Sequence, residues 1–114
     1  MKPLEFLGTS QDDLKNFPAE ARRAAGFELH FVQQGLMPAD WKPMLQVGQG
    51  AMEIRIHVLG EWRVIYVAKF ADAVYVLHAF QKKSKFGIAT PQPDVELVEK
   101  RLKTVLARYG LGRG

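Results

Sequence analysis

Three apolar-rich runs between Met52 and Lys85, separated by only two short breaks, constrain this chain more than any other feature. Met52, Ile54, Ile56 and Val58 alternate with Glu53, Arg55 and His57, and Trp62, Val64, Tyr66 and Ala68 alternate with Arg63, Ile65, Val67 and Lys69. A period of two in residues rich in Val, Ile, Tyr and Trp is that of half-buried strands. The third run, Ala73 to Gln81, is apolar on both faces apart from His78, as in a strand covered on both sides. It runs out into Lys82, Lys83 and Lys85. A turn near Gly60 brings Arg63 opposite the first run. The resulting meander gathers Glu53, Arg55, His57, Arg63 and a lysine cluster within a small area.

The flanking segments supply a first strand and the helices. Pro3 to Leu7 is a short apolar run ending at Gly8, and Ser10-Gln11-Asp12-Asp13 reads as a helix cap, with the Ser10 hydroxyl accepting an early N–H. Phe17-Pro18 breaks that helix, because the residue before a proline avoids the α region. Pro18 suits the first position of a second helix, in which Ala21, Ala25, Leu29, Val32 and Leu36 recur at helical spacing and Gly35 ends the run. Residues 37–51 contain two prolines and two glycines and read as irregular, with Met44 to Val47 a brief strand or turn. Within them Trp41 is expected to anchor on the core rather than to stack a base. Thr90-Pro91 opens a last helix whose stripe is Val95, Val98, Leu102, Val105, Leu106 and Tyr109. The expected order is β-α-α-β-β-β-α. That makes residues 1–114 a single small α+β domain: a mainly antiparallel sheet with a helical layer on one side, formed by a helical hairpin, and a C-terminal helix.

Composition narrows the function classes. At 114 residues, 47% hydrophobic and 25% charged, the chain has the make-up of one globular domain with its own core. It has no cysteine, which removes disulfides and thiolate metal sites and fits a reducing compartment. No apolar run approaches the roughly 18 residues of a membrane span. The N-terminus turns acidic too early for a secretory signal, so a cytoplasmic protein is expected. Charge is unevenly placed: residues 1–41 balance to −2, residues 42–90 to +4 and residues 91–114 to +2. The excess on the meander suits a polyanion or an acidic protein partner, although so small an excess also suits a plain solvated surface.

No metal or cofactor is expected. His30, His57 and His78 lack ligand spacing, and Gly48-Gln49-Gly50 lacks the rest of a phosphate-binding fingerprint. His78 reads as a satisfied core histidine sooner than as a catalyst. The remaining constellation is Glu53, Arg55, His57, Arg63, Lys82 and Lys83. Phosphodiester cleavage needs a base, cations for developing negative charge, and an acid for the leaving oxygen, and this set contains all three. The same residues could instead make cross-strand charge pairs, Glu53 with an arginine for example.

Four pieces of the chain are similar in order and spacing to the RelE/ParE toxin superfamily, in particular its HigB-like, phage-derived branch. They are Met52-Glu53-Ile54-Arg55, Gly60 to Tyr66, Leu77 to Lys85, and Thr90-Pro91. The resemblance covers nearly the whole chain. It implies a RelE-like fold and the toxin of a type II toxin–antitoxin pair. Such toxins act on mRNA in the ribosome without a metal: the 2′-hydroxyl attacks its own 3′ phosphate, leaving a 2′,3′-cyclic phosphate and a 5′-hydroxyl. By resemblance Arg55 and Arg63 hold the scissile phosphate, and Lys83 with Lys82 stabilises charge or protonates the leaving oxygen. Glu53 stands where RelE has a basic residue, so the general base falls to Glu53, His57 or a lysine. Lys85 would contact RNA, and with no tyrosine after the lysine cluster, base stacking would pass to Phe80 or Phe86. The implied partners are the ribosome, mRNA and a helix-turn-helix antitoxin that covers the basic face or keeps the protein off the ribosome; no membrane is involved. Two other functions fit the same resemblance or charge: a ParE-like gyrase poison without enzymatic activity, and a phage-derived protein-binding module without toxicity.

Overall fold

A computed structural model describes residues 1–83 and 90–111. The elements are β1 (Leu4–Phe6), α1 (Ser10–Lys15), α2 (Ala19–Gln33), β2 (Trp41–Pro43), β3 (Ala51–Ile56), β4 (Trp62–Val67), β5 (Val74–Gln81) and α3 (Gln92–Arg108). The order in the sheet is β1-β5-β4-β3-β2; β1 runs parallel to β5 and every other pair is antiparallel. The architecture is the small α+β one expected, with one strand more. Trp41-Lys42-Pro43 pairs with Met52 to Ile54 at the sheet edge, where Pro43 costs no ladder bond to a further strand. Trp41 is 38% exposed, and Met44, in the turn that follows, enters the core in its place.

Strand alternation sorts the side chains into two cores. Ile54, Ile56, Val64, Tyr66, Val74 and Val76 face α1 and α2, where Leu14, Phe17, Ala21, Ala25, Leu29 and Val32 cover them. Ile65, Val67, Tyr75 and Leu77 face α3 and meet Val95, Val98, Leu102 and Val105. Helices therefore cover both faces, not one, because β4 and β5 are apolar on both sides and neither side can be left to water. No helix of the described residues is long and apolar enough to cross a membrane.

Local signals at the helix ends act largely as the sequence suggests. Gly35, at φ 84°, ends α2: its N–H donates to the Val32 carbonyl and that of Leu36 to Phe31, satisfying two otherwise orphaned carbonyls. Ser10 departs from expectation. It lies inside α1 after Thr9, is fully buried, and its hydroxyl donates to the Val76 carbonyl on β5 at 3.1 Å, fastening the helix to the sheet.

Candidate functional site

The β3–β4 register sets the site. Arg55 lies opposite Arg63 and Glu53 opposite Ile65. Farther across the sheet Lys42 on β2 pairs with Glu53, while Arg63 and Ile65 pair with Phe80 and His78 on β5. Since Ile65 belongs to the core under α3, these residues form two transverse rows on that face, at the end where its apolar core stops. A β-bulge contributes. Ile65 pairs with His78 and Tyr66 with Val76, so Leu77 has no partner across the strand and His78 stays on the α3 side.

Two directly opposed arginines repel, and Glu53 resolves the conflict. Its carboxylate, in a residue only 2% exposed, accepts from Arg55 Nε at 3.3 Å and lies 3.5 Å from Arg63 Nε. The Thr90 hydroxyl, just before α3, reaches its other oxygen at 3.5 Å. Arg63 is buried as well, and its Nη1 donates to Glu61 at 3.2 Å and to the Trp62 carbonyl at 3.0 Å. Arg55 remains partly open to solvent.

His57 completes a chain of alternating charge. Its Nε2 stands 2.6 Å from Asp40 and its Nδ1 2.8 Å from Glu61, the carboxylate that also holds Arg63. The Arg55 N–H, donating to the Asp40 carbonyl at 2.9 Å, fixes Asp40 beside the ring. Hydrogen bonding to Asp40, then to Glu61, holds the imidazole above its ordinary pKa, and the His57 bond holds Glu61 below its own. The imidazolium thus has both N–H groups committed, which is poor geometry for a general base.

Lys82 and Lys83 follow β5. The backbone N–H of Lys82 donates to the Glu61 carbonyl at 2.8 Å, which closes the strand end against β4. Burial, and then the Arg63 charge, push the Lys82 ammonium below its ordinary pKa; Glu53 opposes this, and Lys42 and Arg55 add to it. Lys82 therefore senses Arg63, Glu53, Lys42 and Arg55. Lys83 is exposed. Phe80 is half-buried, stacked on the His78 ring with centroids 4.8 Å apart, which leaves it less free as a base platform. His78 itself is buried and its Nε2 stands 2.7 Å from Asp94 of α3, but its buried Nδ1 has no hydrogen-bond partner among the described residues, so it is not the fully satisfied core histidine expected. Lys85 and Phe86 lie outside the described residues.

The sequence profile of the phage-derived Gp49-like family (DUF891) matches residues 12–103 of the 114. The chain belongs to the Gp49-like family. This is a RelE/HigB-like family, in agreement with the superfamily resemblance of the sequence. No curated protein matches the chain. The matched span of this Gp49-like chain contains every charged residue of the cluster.

Sequence reasoning passed over four members of that cluster. Lys42 and Asp40 lie in a proline-containing stretch without visible periodicity, Glu61 in a hairpin turn, and Thr90 is 37 residues from the carboxylate it reaches. The one available signal was Trp41, a good strand residue next to Lys42.

Proposed function

We propose that this protein is the toxin of a toxin–antitoxin pair and that it cuts mRNA on the ribosome. The observation that supports this most is the clustering of Lys42, Arg55, Arg63, Lys82 and Lys83, from four neighbouring strands and their ends, with His57 beside them, around the carboxylates Glu53, Glu61 and Asp40. Five Lys and Arg cations against three carboxylates, two of them paired with His57, leave a positive field on one rigid face, suited to the backbone of single-stranded RNA. Membership of the Gp49-like family supports the same reading.

In this reading Glu53 is a positioning residue. Buried between two guanidiniums, it holds Arg55 and Arg63 in place and does not itself touch RNA. Burial and like charges favour the neutral amine of Lys82, and this amine takes the proton of the ribose 2′-hydroxyl to become the ammonium. The freed oxygen attacks the adjacent phosphorus. Arg55, Lys42 and Lys83 neutralise the charge that develops on the phosphoryl oxygens. The phosphorus–O5′ bond breaks and Lys83 supplies the proton to the departing oxygen, giving a 2′,3′-cyclic phosphate and a 5′-hydroxyl. The ribosome and mRNA are then the working partners, in the cytoplasm, and a helix-turn-helix antitoxin is the natural antagonist.

The test is induced expression in bacteria, with primer extension on a reporter mRNA. Wild type is expected to stop growth and create new 5′ ends. Lys82→Ala with Lys83→Ala, neither in the core, is expected to lower cleavage by about a hundredfold or more with the fold intact. Full cleavage by that variant rules out the mechanism. Growth arrest without cut message, together with trapped gyrase–DNA complexes, points to gyrase poisoning instead.

A further inference from the structure

The opposite face of the sheet carries a second feature that the nuclease reading does not use. Between the end of α2 and the edge of the sheet lies a cavity of about 260 Å³ walled by Val32, Leu36, Met37, Met52 and Ala68. Leu36 and Met37 stand at its rim 52% and 49% exposed, directly after the turn that ends α2. Large apolar side chains kept in water beside an apolar hollow mark an interaction surface more often than a fault. Tyr66 also lines it. Burial pushes this phenol up to about 12, so it stays protonated.

Charge at the rim has one sign. Lys2 and Lys69 both line the cavity, with no carboxylate beside them among its described walls. Lys2 is fixed there by an Nζ donation to the Ala68 carbonyl at 2.6 Å, and the Lys69 stem lies over Gly50, where a Cβ would stand 2.9 Å from it. The walls narrow the occupant: an apolar hollow with ammonium groups at its rim suits one large apolar side chain delivered by a protein with an acidic residue beside it.

We propose that this cavity is the docking site for an acidic segment of a protein partner. The segment places one large apolar side chain between Met37 and Met52, and a neighbouring Asp or Glu meets Lys69 and Lys2. The site lies on the α2 face at the Met52–Tyr66 pair, whereas the cation cluster lies on the α3 face around Arg55–Arg63, three residues along the strand. A partner seated here leaves the basic face open. The proposal does not depend on the nuclease reading.

The test is selection from a random-peptide display library on the full chain, followed by fluorescence-anisotropy titration of the enriched peptides. The enriched peptides are expected to pair an apolar residue with Asp or Glu. Met37→Asp, at a half-exposed position, is expected to weaken them by about tenfold or more. Lys69→Glu is expected to weaken them by about fivefold, and replacing the peptide's acid by lysine to recover the loss. Thermal melts check folding, with Leu36→Ser as the second variant should Met37→Asp not fold. Three results overturn the proposal: no enrichment, peptides bound equally by both the Met37 and Leu36 variants, or a wild-type dimer that these substitutions dissociate, which would make the occupant a second copy.

Discussion

The two faces of the sheet are built by the same strands with the same alternation, yet they end differently. On the α1–α2 side the apolar rows run on through Ile56 and Trp62, and Phe17 packs on the Trp62 ring at 4.6 Å. On the α3 side the core stops at Ile65, and beyond it come Glu53, Arg55 and Arg63, with Lys42 and Lys82 close by. The first face is held by apolar burial and the Ser10 hydroxyl's hydrogen bond to β5. The second spends part of its area on opposed cations, which need a buried carboxylate between them to be tolerated. A charged site on a rigid sheet thus comes with a local instability, and Glu53 is the residue that compensates for it.

The most severe way to break that contrast is Glu53→Ala. It leaves two facing guanidiniums, one of them buried, without their shared anion, and a loss of about 3–5 kcal/mol is expected in urea denaturation. A loss below about 1 kcal/mol would mean that the cations do not depend on Glu53. Ser10→Ala examines the other face, where α1 is tied to β5. Removing that buried hydroxyl is expected to cost about 1–2 kcal/mol by the same measurement, with RNA cleavage unchanged.

A smaller effect sharpens the electrostatic side. The folded pKa of His57 is raised, so its contribution is complete below the unfolded value of 6.5 and fades as pH climbs through the folded value. Glu61 is depressed, so its share is present above 4.5 and fades as pH falls through its folded value. The pair should therefore stabilise most between pH 4.5 and 6.5. Because His57 is half-exposed, the gap between wild type and His57→Gln should stay below about 1 kcal/mol, peak in that window, and shrink on either side in a pH series of denaturation midpoints. A gap that grows towards pH 8 contradicts the assignment. The mildest change is Lys42→Ala. RNA binding is expected to weaken severalfold irrespective of sequence, and the slope of log affinity against log salt to fall by about 0.7, the contribution of one phosphate contact to a single strand.

The elements that could be read from residues were those whose cause is local. Pro18, Gly35 and the Thr90-Pro91 step fix backbone angles wherever they stand: α2 begins directly after Pro18 and ends before Gly35, and α3 begins directly after Pro91. The alternation of β3 and β4, and a hairpin at Gly60 placing Arg63 across from Arg55, follow from a period of two and one turn. Ser10 has the chemistry of a cap and the position of a tether; only the arrival of Val76 from 66 residues away decides between them. Trp41 has the composition of a core residue, but β2 is an edge strand, so its side chain stays partly in water.

Sequence by itself determined the meander, the helix limits, the small α+β class and the presence of a basic constellation, because periodicity and backbone chemistry act over a few residues. Tertiary structure alone decided that helices cover both faces and that Lys42 and Thr90 join the cluster. It also decided that Glu53 sits buried between two guanidiniums and that His57 is held by two carboxylates. Each of these depends on which distant segments share a face. That is settled by how the whole chain buries its apolar surface, a balance that no short stretch of residues contains.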